Sequence, residues 1–133
     1  MNSNLHLENN MDIINEYHKA HRVDERCEYM RGDLRRSPIP AIECNDGFHI
    51  SVQASEYSYC SPRLTADIEY SQFECGFPSA PVPEIAEWKD GEKEDRETDT
   101  ESVYGYVPVS AIVKLIEAHG GIKGPFKREN VQS

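Results

Sequence analysis

Cysteine and histidine are the residue types in this chain best suited to chemistry, and several fall close together. The stretch from Cys44 to Arg63, CNDGFHISVQASEYSYCSPR, holds Cys44, His49 and Cys60, and Cys75 follows in ECGFPS. Four nitrogen and sulfur donors are what a tetrahedral zinc ion takes. Structural zinc sites, however, draw their ligands in pairs roughly two to four residues apart, so that one turn presents two donors. These four residues contain no such pair. The expectation is no metal and no cofactor, with the cysteines packed as small apolar core residues.

A cysteine nucleophile needs a nearby imidazole to hold its thiolate and amide donors for the developing oxyanion. Cys60 with His49 or His119 is the one pairing of that kind, and it defines the alternative reading: a small Cys/His-dependent enzyme or metal-binding protein. The HGG at His119 to Gly121 resembles an oxyanion loop. It follows a helical pattern, though, and a helix C-terminus exposes carbonyls, not amides. No glycine-rich loop precedes a helix, so phosphate-cradling motifs are absent. No catalytic residue is therefore assigned.

The remaining chemistry is that of contact. Arg63 is the only Lys or Arg between Arg36 and Lys89, and it shares a loop with Tyr57 and Tyr59. Tyrosine, tryptophan and arginine are the preferred anchors of protein interfaces. Tyr57, Tyr59, Arg63 and Trp88 are accordingly the candidate partner-binding residues. The opposing reading is a loop whose tyrosines pack back on the sheet and whose arginine pairs with a nearby acid.

The elements that must position these residues can be read from periodicity. NMDIINEYHKAHR places Met11, Ile14, Tyr17 and His18 at helical spacing, with Asn10 as the N-cap and Asp12 in the first turn. After the turn signal Asp46-Gly47, the residues Phe48, Ile50, Val52 and Ala54 alternate with polar ones, as in a half-buried strand. TADIEYSQFECGF predicts a second strand. Its alternation slips from Ala66, Ile68 and Tyr70 to Phe73, Cys75 and Phe77, which suggests a bulge near Ser71-Gln72. SVYGYVP is a third strand rich in β-formers. VSAIVKLIEAHGG then carries Val109, Ile112, Val113 and Ile116 on one helical face, widened by Leu115 and closed by Gly120-Gly121. KDGEKEDRETDTE has no apolar residue and predicts a disordered, dispensable acidic loop.

The predicted fold is α+β: a small antiparallel sheet of three to four strands against a C-terminal helix, with an N-terminal helical extension. The predicted organisation is an extension over 1–40, one domain over 41–122 containing the disordered loop 89–101, and a basic tail over 123–133. The 133 residues suit a single domain.

Charge narrows the partners. The formal net charge is −10, and residues 83–107 alone carry nine Asp/Glu against three Lys/Arg. An acidic middle opposes binding to phosphate backbones or anionic membranes and suits a basic partner. No apolar run approaches the ~18 residues of a membrane span, and the N-terminus lacks the pattern of a signal peptide. A cytosolic setting is the expectation.

Four blocks of the sequence, DGFHISVQAS, YCSPR, ECGFPS and VYGYVPVSAIVKLIEAHGGI, together resemble a group of small accessory proteins of tailed bacteriophages to which no reaction is assigned. The resemblance covers about residues 43 to 122. It implies a phage accessory protein acting in the host bacterial cytoplasm, with no catalytic residue to carry over. The expected function is non-enzymatic binding and inhibition of a bacterial host or defence protein with a basic surface. A second copy of the chain is a further candidate partner.

Overall fold

The computed structural model describes residues 12–22, 39–64 and 68–124. Helix α1 (Ile13–Arg22) is followed by strands β1 (Ile42–Glu43), β2 (His49–Gln53) and β3 (Gln72–Gly76). Two 3-10 segments, Pro83–Trp88 and Arg96–Glu101, lead to strand β4 (Val103–Pro108) and helix α2 (Val109–Ala118). The strands form one antiparallel sheet in the order β1-β2-β3-β4. The α+β arrangement of a small sheet, a C-terminal helix and an N-terminal helix is the predicted one. No helix among the described residues is long and apolar enough to cross a membrane.

Strand β2 keeps its predicted alternation: Phe48, Ile50, Val52 and Ala54 are buried, while His49 faces solvent. Phe73 and Cys75 of β3, Tyr104 and Val107 of β4, and Ile112, Leu115 and Ile116 of α2 join them in one core. Fully burying each large apolar side chain is worth roughly 1.5–3 kcal/mol. The stripe of α2 holds with a small rotation, since Val109 and Val113 are half-buried. The helix closes with a Schellman motif, in which Gly121 N–H donates to Ile116 O and Gly120 N–H to Glu117 O. Both glycines adopt the left-handed conformation that this motif requires, with φ of 89° and 86°.

Helix α1 has too few apolar residues to persist alone and is held by polar ties. Its cap is Asp12, whose Oδ1 accepts the Asn15 N–H at 2.7 Å; Asn10, Met11 and the rest of 1–11 lie outside the described residues. Asn15 then bonds both backbone groups of Tyr70, donating to its O at 2.9 Å and accepting from its N–H at 2.8 Å. His18 Nε2 donates to Val52 O at 2.7 Å. Tyr17 O–H donates to Ala41 O at 3.0 Å, and burial pushes this phenol up to about 12.

Two sequence expectations need correction. The second strand is shorter than predicted: Ile68 to Ser71 are not extended into the sheet, residues 65–67 lie outside the described ones, and pairing starts at Gln72. Phe77, predicted to face the core, is 58% exposed, with a left-handed φ of 51° that turns it off the strand. The bulge also sits on the other strand. Phe73 pairs with Val107 and Cys75 with Tyr104, so β4 carries one residue more than β3 across that step. Tyr106, at φ 55°, takes up the difference.

The second correction concerns 89–101, which is ordered around a buried cation. Lys89 is 2% exposed and Asp99 fully buried. Lys89 Nζ donates to Asp99 Oδ1 at 2.9 Å, Thr98 Oγ1 at 2.8 Å and Asp95 O at 2.6 Å, using all three of its protons. Asp99 Oδ2 accepts the Val82 N–H at 2.9 Å and faces Arg96 Nε at 3.1 Å. The Tyr104 hydroxyl donates to Asp99 O at 2.9 Å. The segment lacks apolar side chains, but it contains one lysine whose charge its own acids and carbonyls can satisfy. Of the other organisational boundaries, 1–11, 23–38 and 125–133 lie outside the described residues.

Candidate interaction surface

The loop after β2 begins as a tight serine turn. Ser58 N–H donates to Ser55 O at 3.1 Å, and Ser55 Oγ accepts the Tyr57 N–H at 3.0 Å. Cys60 then plunges into the core at 1% exposure, its thiol within reach of Ser55 O at 3.3 Å and Pro62 O at 3.4 Å. Ser61, which precedes a cis peptide to Pro62, bridges to Gln72 of β3. A buried residue at position 60 between anchored neighbours forces Tyr59 outward, over the sheet.

Tyr59 is held there from several sides. Its N–H donates to Glu74 Oε1 at 2.7 Å, and its carbonyl accepts the Tyr106 N–H at 2.9 Å. Beneath it lies Gly105, where an added Cβ would come within 3.2 Å of Tyr59 Cβ. The rings of Tyr59 and Tyr106 stack with centroids 5.9 Å apart and 28° between planes. The Arg63 guanidinium lies 5.3 Å from the Tyr59 ring centre, within cation–π range. Tyr59 is 51% exposed and Tyr106 41%. The rings are therefore positioned before any partner arrives, and half their area remains open to contact.

Of the four predicted contact residues, Tyr59 and Arg63 are brought together. Tyr57 is 68% exposed on the same loop. Trp88 ends the first 3-10 segment and is half-buried against the core. Tyr106 was missed. The signal was the glycine inside VYGYVP, because glycine in a strand marks a bulge or a close backbone approach. Strict alternation would place Tyr104 and Tyr106 on one face; the extra residue buries Tyr104 and leaves Tyr106 outside.

The residues weighed for metal or nucleophilic chemistry are not arranged for it. Cys44, Cys60 and Cys75 are buried, whereas His49 is exposed. Burial pushes the Cys44 thiol up to about 11, with Asp46 and Glu43 adding to the effect, and burial pushes Cys75 up as well. A protonated thiol is a poor nucleophile and a poor ligand. Among the described residues no three His, Cys, Asp or Glu side chains are grouped to hold a metal ion.

A second feature escaped the sequence altogether. His119 Nδ1 meets Asp46 Oδ2 at 2.7 Å, and its ring stacks on Phe48 at 3.9 Å with 8° between planes. The Phe48 N–H and the His119 ring together hold the Asp46 carboxyl below the usual range. These residues line a shallow cleft of about 260 Å³ with Gly47, Ser79 and Ala80. Asp, His and Ser are hydrolase residue types, but among the described residues no hydrogen bond joins Ser79 to His119; Ser79 Oγ instead accepts the His49 N–H at 2.9 Å. The adjoining helix end presents carbonyls: His119 O and Gly121 O accept from Asp46 and Asn45. The pair clamps the end of α2 to the β1–β2 turn. Only the tertiary docking brings positions 46 and 119 together, so no local pattern could have shown it.

The surface offers two stacked phenol faces, a guanidinium and a carboxylate, a set suited to recognition. Against known protein families, curated proteins and solved structures, the chain has no match.

Proposed function

We propose that the chain is a non-enzymatic interaction protein, phage-encoded and acting in the host bacterial cytoplasm, that binds and inhibits a host or defence protein through its acidic and aromatic surface. The observation that carries this reading is the Tyr59–Tyr106 stack, half-exposed, capped by Arg63 and tied at Tyr59 to the Tyr106 backbone and the Glu74 carboxylate. Aromatic and arginine anchors positioned in advance lose little side-chain entropy on binding, so more of their contact energy appears as affinity. The net charge of −10 favours a partner with a basic surface and accelerates encounter with it.

Retention of partners on immobilised wild-type protein, compared with Tyr59→Ala, Arg63→Ala and Cys60→Ser, tests the reading. A retained protein should be released by the first two substitutions and by salt, since screening acts over roughly 10 Å at 0.1 M. Cys60→Ser should leave binding unchanged. Loss with Cys60→Ser alongside tolerance of Arg63→Ala would replace the interaction reading with a cysteine-dependent activity.

A further inference from the structure

Arg63 shows what the Tyr59 ring accepts. Its guanidinium lies over one face of the stacked pair, and among the described residues no cation lies over Tyr106, the other ring. Glu74 stands opposite the Gly105–Tyr106 bulge, since its strand neighbours Phe73 and Cys75 pair with Val107 and Tyr104. One of its carboxylate oxygens, Oε1, accepts the Tyr59 N–H. The surrounding stretch is acidic, with Arg63 as the single basic residue from 41 to 82 against six Asp/Glu. A π-face beside a half-exposed carboxylate in an acidic region is the complement of a planar cation.

We infer that Tyr106 and Glu74 form a seat for an arginine side chain of the partner, which would extend the ladder Arg63–Tyr59–Tyr106 by one guanidinium. This rests on the interaction reading and names its chemistry. Arginine is favoured over lysine because a planar, weakly hydrated guanidinium stacks on an aromatic face while its edge donates to a carboxylate. A lysine ammonium supplies only a point charge to the same place. The left-handed backbone of Tyr106, tied by its N–H to Tyr59 O at 2.9 Å, keeps the ring from folding away when the site is empty.

The test uses the full chain and three acetylated tetrapeptides, tetra-arginine, tetra-lysine and tetra-glutamate, followed by calorimetry and by amide shifts in NMR. Tetra-arginine should bind at least about five-fold more tightly than tetra-lysine, with shifts centred on residues 59, 74 and 106, and tetra-glutamate should not bind. Tyr106→Phe should retain the preference for arginine, whereas Tyr106→Ala and Glu74→Gln should remove it, each variant being checked for an unchanged core spectrum. Equal binding of the two cationic peptides, or indifference to Tyr106→Ala, would overturn the seat. So would tighter binding of a short oligothymidine, or a dimer of the chain that depends on Tyr106. Failure of the seat is separable from failure of the interaction reading. A protein partner released by Tyr59→Ala yet indifferent to Tyr106→Ala and Glu74→Gln refutes the seat alone. A Tyr106-dependent preference for arginine with no protein retained refutes the reading alone.

Discussion

Two long connections flank β3, one from Ala54 to Ser71 and one from Phe77 to Ser102. They fold in opposite ways. The second turns inward on Lys89, whose three protons all find acceptors, and closes over Asp99 until both charges are lost to solvent. The first turns Ala54, Cys60 and Tyr70 inward and leaves Tyr57 and Tyr59 outside. A buried ion pair contributes little net energy over an apolar substitute, yet removing one partner is costly. The inward connection is therefore a structural commitment. The outward one keeps large aromatic side chains exposed, and that is where binding is expected.

The sharpest way to break this comparison is to remove the cation. Lys89→Ala leaves the buried Asp99 with the Val82 N–H and Arg96 but without its buried cation, and stability should fall by about 3 kcal/mol, near the lower end for breaking a buried pair. Urea unfolding measures this. A double substitution, Lys89→Met with Asp99→Leu, should cost less than Lys89→Ala alone, because no stranded charge remains. If Lys89→Ala changed stability by under about 0.5 kcal/mol, the segment would be the dispensable loop that its composition suggests.

That contrast also shows what could be read in the chain. The α2 stripe and the β2 alternation were legible because each repeats a local period that burial must satisfy. The order in 89–101 was not legible, since composition counts apolar residues and misses a single lysine that neighbouring carbonyls and acids can enclose. For the proposed surface, residue types named Tyr57, Tyr59 and Arg63 as candidates, and the structure places Arg63 over the Tyr59 ring. Tyr106 required the bulge, which is a property of the pairing of two strands. The Asp46–His119 clamp required the docking of α2 and had no sequence signal.

Acid sharpens the comparison next. Burial pushes the Asp99 carboxyl up, but the hydrogen bonds from Lys89 and Val82 and the charges of Arg96 and Lys89 outweigh it and hold the group below the usual range. A carboxyl lowered in the folded state contributes stability above its unfolded value of about 3.9. That contribution is lost as pH falls through the folded value, because the unfolded chain then binds the proton more readily. Wild-type protein should therefore lose stability on acidification below about pH 4, and Asp99→Asn should show a flatter profile there. Parallel profiles for the two proteins would mean that Asp99 is not the linked group.

On the outward connection the signs should reverse, with function lost and stability kept. Tyr59→Ala should weaken partner binding by about 1–3 kcal/mol while changing folding stability by under about 1 kcal/mol, as befits a half-exposed ring. Gly105→Ala should follow the same pattern more mildly, since its Cβ must push Tyr59 by a few tenths of an ångström from a 3.2 Å contact. Binding measured on the retained partner, together with thermal unfolding of both variants, decides it. A Tyr59→Ala protein that unfolds as readily as Lys89→Ala would make the loop a structural element and not a surface kept for contact.

The smallest expected effect is the most specific to the geometry. Tyr106 occupies the left-handed region at φ 55°, which costs a residue with a Cβ about 1–2 kcal/mol. Alanine at 106 removes the ring and keeps that strain. Glycine removes the ring and the strain together, although it also raises the entropy of the unfolded chain, an opposing effect of roughly 0.5–1 kcal/mol. Tyr106→Gly should therefore be more stable than Tyr106→Ala by about 0.5 kcal/mol, the reverse of the order found inside ordinary strands. Neither variant has a ring to stack, so both should bind the partner equally weakly. Urea denaturation of the two proteins side by side resolves a difference of this size. If alanine proved the more stable, position 106 would not be held left-handed in solution. Tyr106 would then lack the fixed backbone that keeps its ring beside Tyr59, and the outward connection would be a flexible loop, not a prepared surface.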